Sequence, residues 1–434
     1  EVGAEATELL RELIRFDTTN PPGNERPAQE MLGQVLGDAG FECELLGVEE
    51  HRSNLIARLP GDGDGPTLCL LGHVDTVPAD ASEWTHDPWS GDLDGGEVWG
   101  RGAQDMTGQV AAEIAAACTL ARAGWRPAGE LLVIVTADEE TGAAKGAKWL
   151  CEEHPEKVRS DLVVNEGGGM SFELDGRRFY TLCVGEKGVF RFELRARGRA
   201  GHASVPALGD NALLKLAPVL EKLREQPEPE ATEEGLEFLS VLLGEEVEPG
   251  DLPGALARLS ELDPLLGAYV AEPMLRVTLT PTRAHASDKA NVIPSHAEAL
   301  IDCRVPPAMD EADARERALS VIGELPDDVE IAFTETARGN RSPSRSPLAD
   351  AIGETMGELD PGSALVPIVM AGFSDSTWFR KAFDSSTVYG FCPQREMSLA
   401  EAGPLIHGAD ERIKVADMDL AASFYVGLVQ RILG

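Results

Sequence analysis

The amino-acid sequence predicts an α/β fold in which a smaller α+β domain is inserted into a larger domain built on a mixed sheet. In the first half, short apolar runs alternate with segments of helical periodicity, which is typical of a sheet covered by helices on both faces. Near Gly185 the pattern changes to alternating apolar and polar residues, as expected for strands with one face on water. From about Ser342 the earlier character returns. We therefore expect a first part over 1–186, an inserted domain over 187–340 and a second part over 341–434.

Four apolar runs predict strands of the larger domain, and each of the last three ends in a group of polar residues. The runs are NLIARL, TLCLLGHVD, LLVIVTADEE and DLVVNEG. Helical spacing predicts helices over 4–16, 27–39, 107–123 and 142–153, and a last helix over MDLAASFYVGLVQRIL. Because ligands bind open α/β sheets beyond the carboxyl ends of the strands, we expect the functional site at that edge.

The inserted domain is predicted from four alternating segments, VFRFELRARG, MLRVTLTPT, EALIDCRVP and VEIAFTETA. Helices are expected at about 211–223 and 310–322. Residues 221–273 exceed what these strands and helices need, and they include the acidic stretch EQPEPEATEEG. This extra sequence could reshape a pocket or cover an edge of the inserted domain.

Composition narrows the classes of partner. The 434 residues, 43% of them hydrophobic, are enough for two or three domains. With 75 acidic against 38 basic residues the net charge is −37, which repels nucleic acid and anionic membranes, so we expect neither as a partner. No run approaches the ~18 apolar residues of a spanning helix, and the first residues lack the features of a secretory signal. Seven cysteines without a CxxC pair indicate buried free thiols and a cytoplasmic location.

Residue types that bind metals follow the predicted strands or open a helix. They are His73 and Asp75 in LGHVDTVP, Asp105 in GRGAQDMTG, Glu139 and Glu140 in ADEETG, Glu166 in NEG, and His407 in PLIHGA. Singly, each has an ordinary explanation: a surface pair, a solvated face, or a helix N-cap. Together they would meet at one edge, where repulsion between carboxylates requires a cation. Histidines and carboxylates without cysteine suit zinc or a similar divalent ion, and the HxD spacing could let a carboxylate orient the imidazole.

The motifs GHVDTVP, GRGAQDMTG, DEETG and NEG, in this order, resemble those of the zinc-dependent aminoacylase and carboxypeptidase family. That family includes acetylornithine deacetylase, succinyl-diaminopimelate desuccinylase, aminoacylase, glutamate carboxypeptidase and carboxypeptidase S. The resemblance extends from DTTNPPGNE to HGADERI. It implies a catalytic domain of the zinc-peptidase type, with the inserted domain acting as a lid through which chains dimerise.

The resemblance implies two Zn²⁺ per chain, with Co²⁺ or Mn²⁺ as possible substitutes. The ligands it implies are His73 and Glu166 on one ion, Glu140 and His407 on the other, and Asp105 with a water between them. It also makes Asp75 the residue that orients His73. Glu139 would be the general base, which takes a proton from the water and passes it to the leaving amine.

Further candidates in this resemblance lie in or near the lid. His202 in RAGHAS would help to hold the developing oxyanion, reaching across a homodimer. Asn291 and Arg304 match positions of substrate contact, and Ser374 lies in a polar substrate loop, GFSDS. For Arg304, a salt bridge with Asp302 is an equal alternative. The extra residues 221–273 put the dimer geometry, and with it the role of His202, in question.

We expect a hydrolase of the amide bond in an N-acyl amino acid or small peptide with a free carboxylate. Two alternatives stay open. One is a biosynthetic deacylase for acetylornithine or succinyl-diaminopimelate, against which the anionic surface is a weak argument. The other is a non-catalytic binding protein on the same fold. Such a protein should lack the base or a ligand, whereas Glu139 and all five ligands are present.

Overall fold

The computed structural model describes residues 1–434 and divides them into two compact units. The large unit comprises Glu1–Val184, Ser342–Ile368 and Phe373–Gly434, and the small unit comprises Gly185–Arg341 and Val369–Gly372. The predicted α/β class with a large mixed sheet is confirmed. The short stretch Val369–Gly372 groups with the small unit, which the sequence did not indicate.

The first part of the chain supplies most of the large sheet. Its helices are α1 (Val2–Leu13), α2 (Arg26–Ala39), α3 (Thr107–Arg122), α4 (Ala147–Glu153) and α5 (Pro155–Val158). Its strands are β1 (Glu42–Glu49), β2 (Arg52–Pro60), β3 (Thr67–His73), β4 (Asp92–Asp94), β5 (Glu97–Trp99), β6 (Glu130–Thr136), β7 (Leu162–Asn165), β8 (Met170–Leu174) and β9 (Arg177–Glu186). The end of β9 continues into the small unit.

The elements of the small unit follow. Its strands are β10 (Gly188–Arg197), β11 (Gly201–His202), β12 (Thr278–His285), β13 (Val292–Ile293), β14 (His296–Val305), β15 (Val329–Ala337) and β16 (Asn340–Arg341). Its helices are α6 (Ala212–Lys222), α7 (Glu233–Leu243), α8 (Leu252–Leu262), α9 (Pro264–Leu266), α10 (Glu272–Leu275) and α11 (Glu311–Ile322).

The last part of the chain completes the large unit. Its strands are β17 (Ala364–Met370), β18 (Thr387–Gly390), β19 (Gln394–Ser398) and β20 (Arg412–Lys414). Its helices are α12 (Pro347–Leu359), α13 (Ser376–Ala382), α14 (Leu399–Ala402) and α15 (Val415–Leu433). No helix has the length and apolarity that crossing a membrane requires.

The large sheet is mixed, and its strands pair in the order β1-β2-β6-β3-β7-β18-β9-β8-β19. Strand β3 runs parallel to both β6 and β7 at the centre, whereas β1, β2 and β9 pair in antiparallel fashion. Strands β6, β3 and β7 therefore end side by side at one edge of the sheet. A separate small sheet pairs β20 with β5 and brings the end of the chain beside the segment before α3.

Helices cover the large sheet on both faces, which explains why its central strands are continuously apolar. Along β3, Leu68 and Leu70 belong to a core that includes residues of α1, α3 and α15. Cys69 and Leu71 point to the opposite face and belong to a second core with α4 and α13. This period of two is the normal alternation of side chains along a strand.

Two predicted elements and the predicted burial of one cysteine differ from the structure. Helix α4 begins at Ala147 rather than near 142, because Gly142 and Ala143 have positive φ values and form a turn. Strand β12 begins at Thr278, and the preceding Met274 and Leu275 belong to the short helix α10. The thiol of Cys43 is exposed because it lies on the edge strand β1, whereas the other six cysteines are buried.

The small unit has a four-stranded antiparallel sheet in the order β12-β14-β10-β15. Burial alternates along β10 and β14, and their buried side chains pack with residues of α6 and α11. The extra sequence at 221–273 forms the additional helices α7, α8 and α9 and the start of α10, with Phe238 and Leu259 fully buried. The insertion is thus a packed helical element of this unit.

Candidate metal centre

Strand order places the predicted ligands in one cluster of the large unit. His73 ends β3, Glu139 and Glu140 form a turn after β6, and Glu166 follows β7. These three strands are parallel neighbours, so their carboxyl ends meet at one edge. Asp105 comes from the loop before α3.

The remaining histidine reaches the cluster from the end of the chain. His407 lies in the loop before β20, whose pairing with β5 brings that loop beside the Asp105 loop. His407 Nε2 lies 3.1 Å from Asp105 Oδ2 and 3.1 Å from Glu140 Oε2. On the other side of Asp105, His73 Nε2 lies 3.1 Å from Asp105 Oδ1 and 3.7 Å from Glu166 Oε1. The carboxylate of Asp105 therefore stands between two histidines.

The donor set fits a pair of divalent ions. Ligand atoms of two groups, His73–Asp105–Glu166 and Asp105–Glu140–His407, lie within 4.8 Å of one another, and both groups contain Asp105. Ligands about 2.0–2.1 Å from a tetrahedral zinc ion stand roughly 3.3–3.4 Å apart, close to the separations seen here. Glu140 Oε1 is buried and accepts no hydrogen bond, which leaves it available to a cation.

Burial and neighbouring charges shift the pKa values of the cluster. Burial raises the pKa of Glu139 and of Glu166 well above the usual range, and neighbouring carboxylates add to the effect. Hydrogen bonds to Asp105 and Glu140 raise the pKa of His407 to about 10. Although burial opposes it, hydrogen bonds from both histidines lower the pKa of Asp105. A cluster of this kind holds excess negative charge that a bound cation would neutralise.

Asp75 supports the cluster in two ways. Its backbone oxygen lies 2.9 Å from His73 Nδ1, and its carboxylate Oδ1 lies 3.5 Å from the same nitrogen. Its carboxylate also accepts the backbone N–H of Glu139 and of Glu140, each at 3.1 Å. Asp75 therefore fixes the turn that carries both glutamates as well as the imidazole.

The sequence did not single out a buried polar network behind this turn. Asn20 Nδ2 donates to Asp75 Oδ2 at 2.8 Å. Arg52 donates to Glu25 Oε1 at 2.6 Å and to Asp138 Oδ1 at 2.9 Å, and all three side chains are nearly inaccessible to solvent. Asn20 lies in the TTNPPGNE stretch, the only signal that marked this region beforehand. The network ties the start of α2 to the residue before Glu139.

The GFSDS loop, which carries the predicted substrate residue Ser374, lies beside the cluster. The side chain of Ser374 is buried, and its hydroxyl accepts from Asn165 Nδ2 at 3.4 Å and from the backbone of Ser376 at 3.2 Å. Its neighbour Asp375 accepts from Thr136 Oγ1 at 2.6 Å. The charge of Asp375 also contributes to the raised pKa of Glu139.

The other predicted substrate residues lie in the small unit. His202 and Asn291 are exposed and close to each other, since the backbone N–H of Ala203 donates to the backbone oxygen of Asn291 at 3.0 Å. Ser204 Oγ lies 2.7 Å from His202 Nδ1. Arg304 Nε donates to Asp302 at 2.8 Å, so the salt bridge given as the alternative is formed. Arg304 Nη1 also donates to the Ala371 oxygen at 3.2 Å.

The sequence profile of Peptidase family M20/M25/M40 matches residues 69–431. The chain belongs to this family. It is a metal-dependent hydrolase, as the motifs indicated. The resemblance stated from the motifs is thereby confirmed.

Individual relatives agree with this family membership. A succinyl-diaminopimelate desuccinylase from Rhodopseudomonas palustris (strain BisB5) is 28% identical over 439 residues and covers 98% of each chain. An M20 family metallo-carboxypeptidase from Sulfolobus solfataricus has a TM-score of 0.71 at 18% identity over 99% of each chain. A dinuclear metal-binding M20 peptidase from Bacillus subtilis has a TM-score of 0.61 at 16% identity, covering 100% of this chain and 98% of that one. The two structures show that the fold is shared.

Proposed function

We propose that the protein hydrolyses the amide bond of an N-acyl amino acid or small peptide at a centre of two zinc ions, for which Co²⁺ or Mn²⁺ could substitute. The observation that carries the proposal is the pair of three-residue groups that share Asp105, with Glu139 beside them. The Bacillus subtilis structure, described as dinuclear, supports two ions rather than one.

The side chains divide the chemical work. Bound ions would lower the pKa of a water molecule and polarise the amide carbonyl. Glu139 is buried, and its Oε2 lies 3.9 Å from His73 Nε2. It could join His73 and Glu140 in a third group of possible ligands, but it is absent from the two groups that share Asp105, so we assign it as the base. From there it takes the proton of the attacking water and delivers it to the leaving nitrogen.

Metal analysis tests the proposal directly. Protein purified without chelator and loaded with zinc is expected to hold two ions per chain, because the five ligands exceed what one tetrahedral ion needs. Plasma mass spectrometry after gel filtration measures the ratio. A ratio of one or less after saturation would show that a mononuclear centre is formed instead.

The relatives named as desuccinylases favour a deacylase rather than a peptidase. The succinyl-diaminopimelate desuccinylase of Rhodopseudomonas palustris covers 98% of this chain at 28% identity. The names of these relatives therefore support the alternative of a biosynthetic deacylase. Amine release from a panel of N-acetyl and N-succinyl amino acids and dipeptides distinguishes the two classes.

We propose that Arg304 binds the free carboxylate of the substrate. Its Nε and Nη2 edge pairs with Asp302, and Asp302 also accepts from Arg191 at 2.9 Å. This holds the guanidinium in a fixed plane, from which remaining N–H groups can bind a carboxylate.

We expect Arg304→Lys to lose most of kcat/KM while the protein folds normally, because lysine cannot reproduce the planar fork. An N-acyl amino acid should react faster than its C-terminal amide by about 1.5–3 kcal/mol in activation free energy, the worth of a charged hydrogen bond. Arg191→Lys is the matched control, since it disturbs the same Asp302 carboxylate. An equal loss of kcat/KM in both variants, or equal rates on the acid and the amide, would show that Arg304 has a structural role and does not bind the substrate carboxylate.

We also propose a homodimer formed through the small unit, with His202 of one chain completing the site of the other. Residues 280–285 of the edge strand β12 are exposed, and so are Leu208, just before α6, and Leu214 within α6. An open strand edge and exposed leucines are features that a second chain would cover.

All seven cysteines are free, which favours the cytoplasm as the location.

Shared sites predict complementation between inactive chains. His202→Ala and Glu139→Gln chains, each inactive alone, are expected to regain part of the activity when they are mixed and allowed to exchange subunits. Sedimentation velocity gives the oligomeric state in the same samples. A fully active monomer would rule out a shared site.

A further inference from the structure

Glu411 is a buried carboxylate that belongs to none of the groups of possible metal ligands. Its side chain has no solvent-accessible surface. It accepts three backbone N–H groups of one loop, from Gly102 at 3.0 Å, Gln104 at 2.7 Å and Asp105 at 3.0 Å. A fourth hydrogen bond comes from Arg101 Nη1 at 2.6 Å. Every one of these donors lies in the loop that carries Asp105.

The same residue ties that loop to the loop of His407. Glu411 follows His407 by four residues, and its backbone oxygen accepts the N–H of Gly100 at 2.9 Å. Arg101 Nη2 donates to the backbone oxygen of His407 at 3.4 Å. About 300 residues of chain separate the two loops, and this carboxylate with its arginine joins them at both ends.

Two glycines make the position of this loop dependent on its restraints. Gly100 and Gly102 both have positive φ values, so the segment before Asp105 has a wide conformational choice when unrestrained. The carboxylate of Asp105 must nevertheless stay 3.1 Å from both His73 and His407. A buried acceptor of three N–H groups restricts the position of the whole loop.

We propose that Glu411 is the positioning residue that fixes Asp105 between the two histidines, so that its loss weakens ion binding beyond any loss of stability. The inference rests on the proposed function, in which Asp105 bridges two ions. Residues that orient metal ligands typically contribute 10–100-fold to metal affinity. We therefore expect Glu411→Gln to lower the affinity for at least one ion by about this factor.

The chain offers a matched control in Asp417. This carboxylate is also fully buried and accepts three backbone N–H groups, from Arg395 at 2.7 Å, Glu396 at 2.8 Å and Met397 at 3.0 Å. None of those donors belongs to a predicted metal ligand. Asp417→Asn therefore imposes a similar loss of hydrogen bonds on a segment that contacts the Asp105 loop through a side chain, Met397 Sδ at 3.6 Å from Gln104 Nε2, and does not hold the backbone of that loop.

Cobalt titration of the full chain tests the proposal, with the visible absorption of Co²⁺ as the readout and thermal unfolding of the metal-free protein as the measure of stability. We expect Glu411→Gln to bind one Co²⁺ about 10–100-fold more weakly and to show a changed spectrum, while Asp417→Asn at a comparable Tm keeps wild-type binding. Wild-type affinity and spectrum in Glu411→Gln, or the same loss in Asp417→Asn, would overturn the proposal.

Two further measurements cover a variant that does not fold and a wild-type protein that binds one ion. If Glu411→Gln does not fold, Arg101→Lys is measured, since it frees the loop from the same side. A loss of about 10-fold supports the proposal, and unchanged binding contradicts it. Wild-type protein that binds only one Co²⁺ would contradict the two-ion function. Glu411 would still be judged by the affinity of that one ion.

Discussion

Replacing Glu139 with glutamine is expected to lower turnover about 10²–10⁴-fold while both ions stay bound, which is the usual worth of a general base. The amide of glutamine preserves the size of the side chain but cannot accept a proton. Glu139 lies in the same turn as Glu140, yet only Glu140 approaches His407, at 3.1 Å. In the proposed mechanism, Glu139 therefore transfers a proton and Glu140 binds an ion.

Glu140→Gln is the control for this experiment. It should weaken one ion, because a neutral amide is a poorer ligand than a carboxylate. Metal content by mass spectrometry and turnover on the best substrate are measured for both variants. If the two variants lose the same amount of metal, the assignment of base and ligand is wrong.

Arg52→Met is expected to destabilise the fold by about 3–5 kcal/mol, because it leaves two buried carboxylates without their cation. Arg52 is 2% exposed, Glu25 is 0% exposed and Asp138 is 5% exposed. The guanidinium also donates to the backbone oxygen of Pro22 at 2.9 Å. Because Glu25 and Asp138 are buried, solvent cannot replace the hydrogen bonds that they lose when Arg52 is removed.

Chemical denaturation of metal-free protein measures this loss of stability, and two further variants serve as controls. Arg122→Met removes an exposed partner of Glu5, at 2.6 Å, and should cost only roughly 0–1 kcal/mol. Adding Glu25→Gln to Arg52→Met should recover part of the loss, because one uncompensated charge is removed. Equal costs for Arg52→Met and Arg122→Met would contradict the view that burial makes the Arg52 network costly to break.

Sequence reasoning placed the candidate ligands His73, Glu140 and Glu166 at strand ends because local patterns determine strands. The apolar runs before His73, Glu139 and Glu166 are continuous, and parallel strands place their carboxyl ends at one edge whatever the details of packing. The turn over 142–146 was not predicted in this way, because the sequence indicated a helix from about 142. The positive φ values of Gly142 and Ala143 turn the chain back on itself, so that Gly146 packs against the backbone oxygen of Ala137 where a side chain would not fit. The period of apolar residues does not encode such a turn.

The sequence by itself determined the α/β class, the strand ends that carry His73, Glu139, Glu140 and Glu166, and the family. Only the tertiary structure decided which charges stand beside one another. His407 reaches Asp105 because β20 pairs with β5, and Glu411 holds the Asp105 loop for the same reason. Arg52 meets Asp138 across 86 residues of chain. For His407 and Asp105 the family resemblance implied the pairing beforehand. The spacing of residues along the sequence does not encode any of these pairs, because they depend on long-range packing.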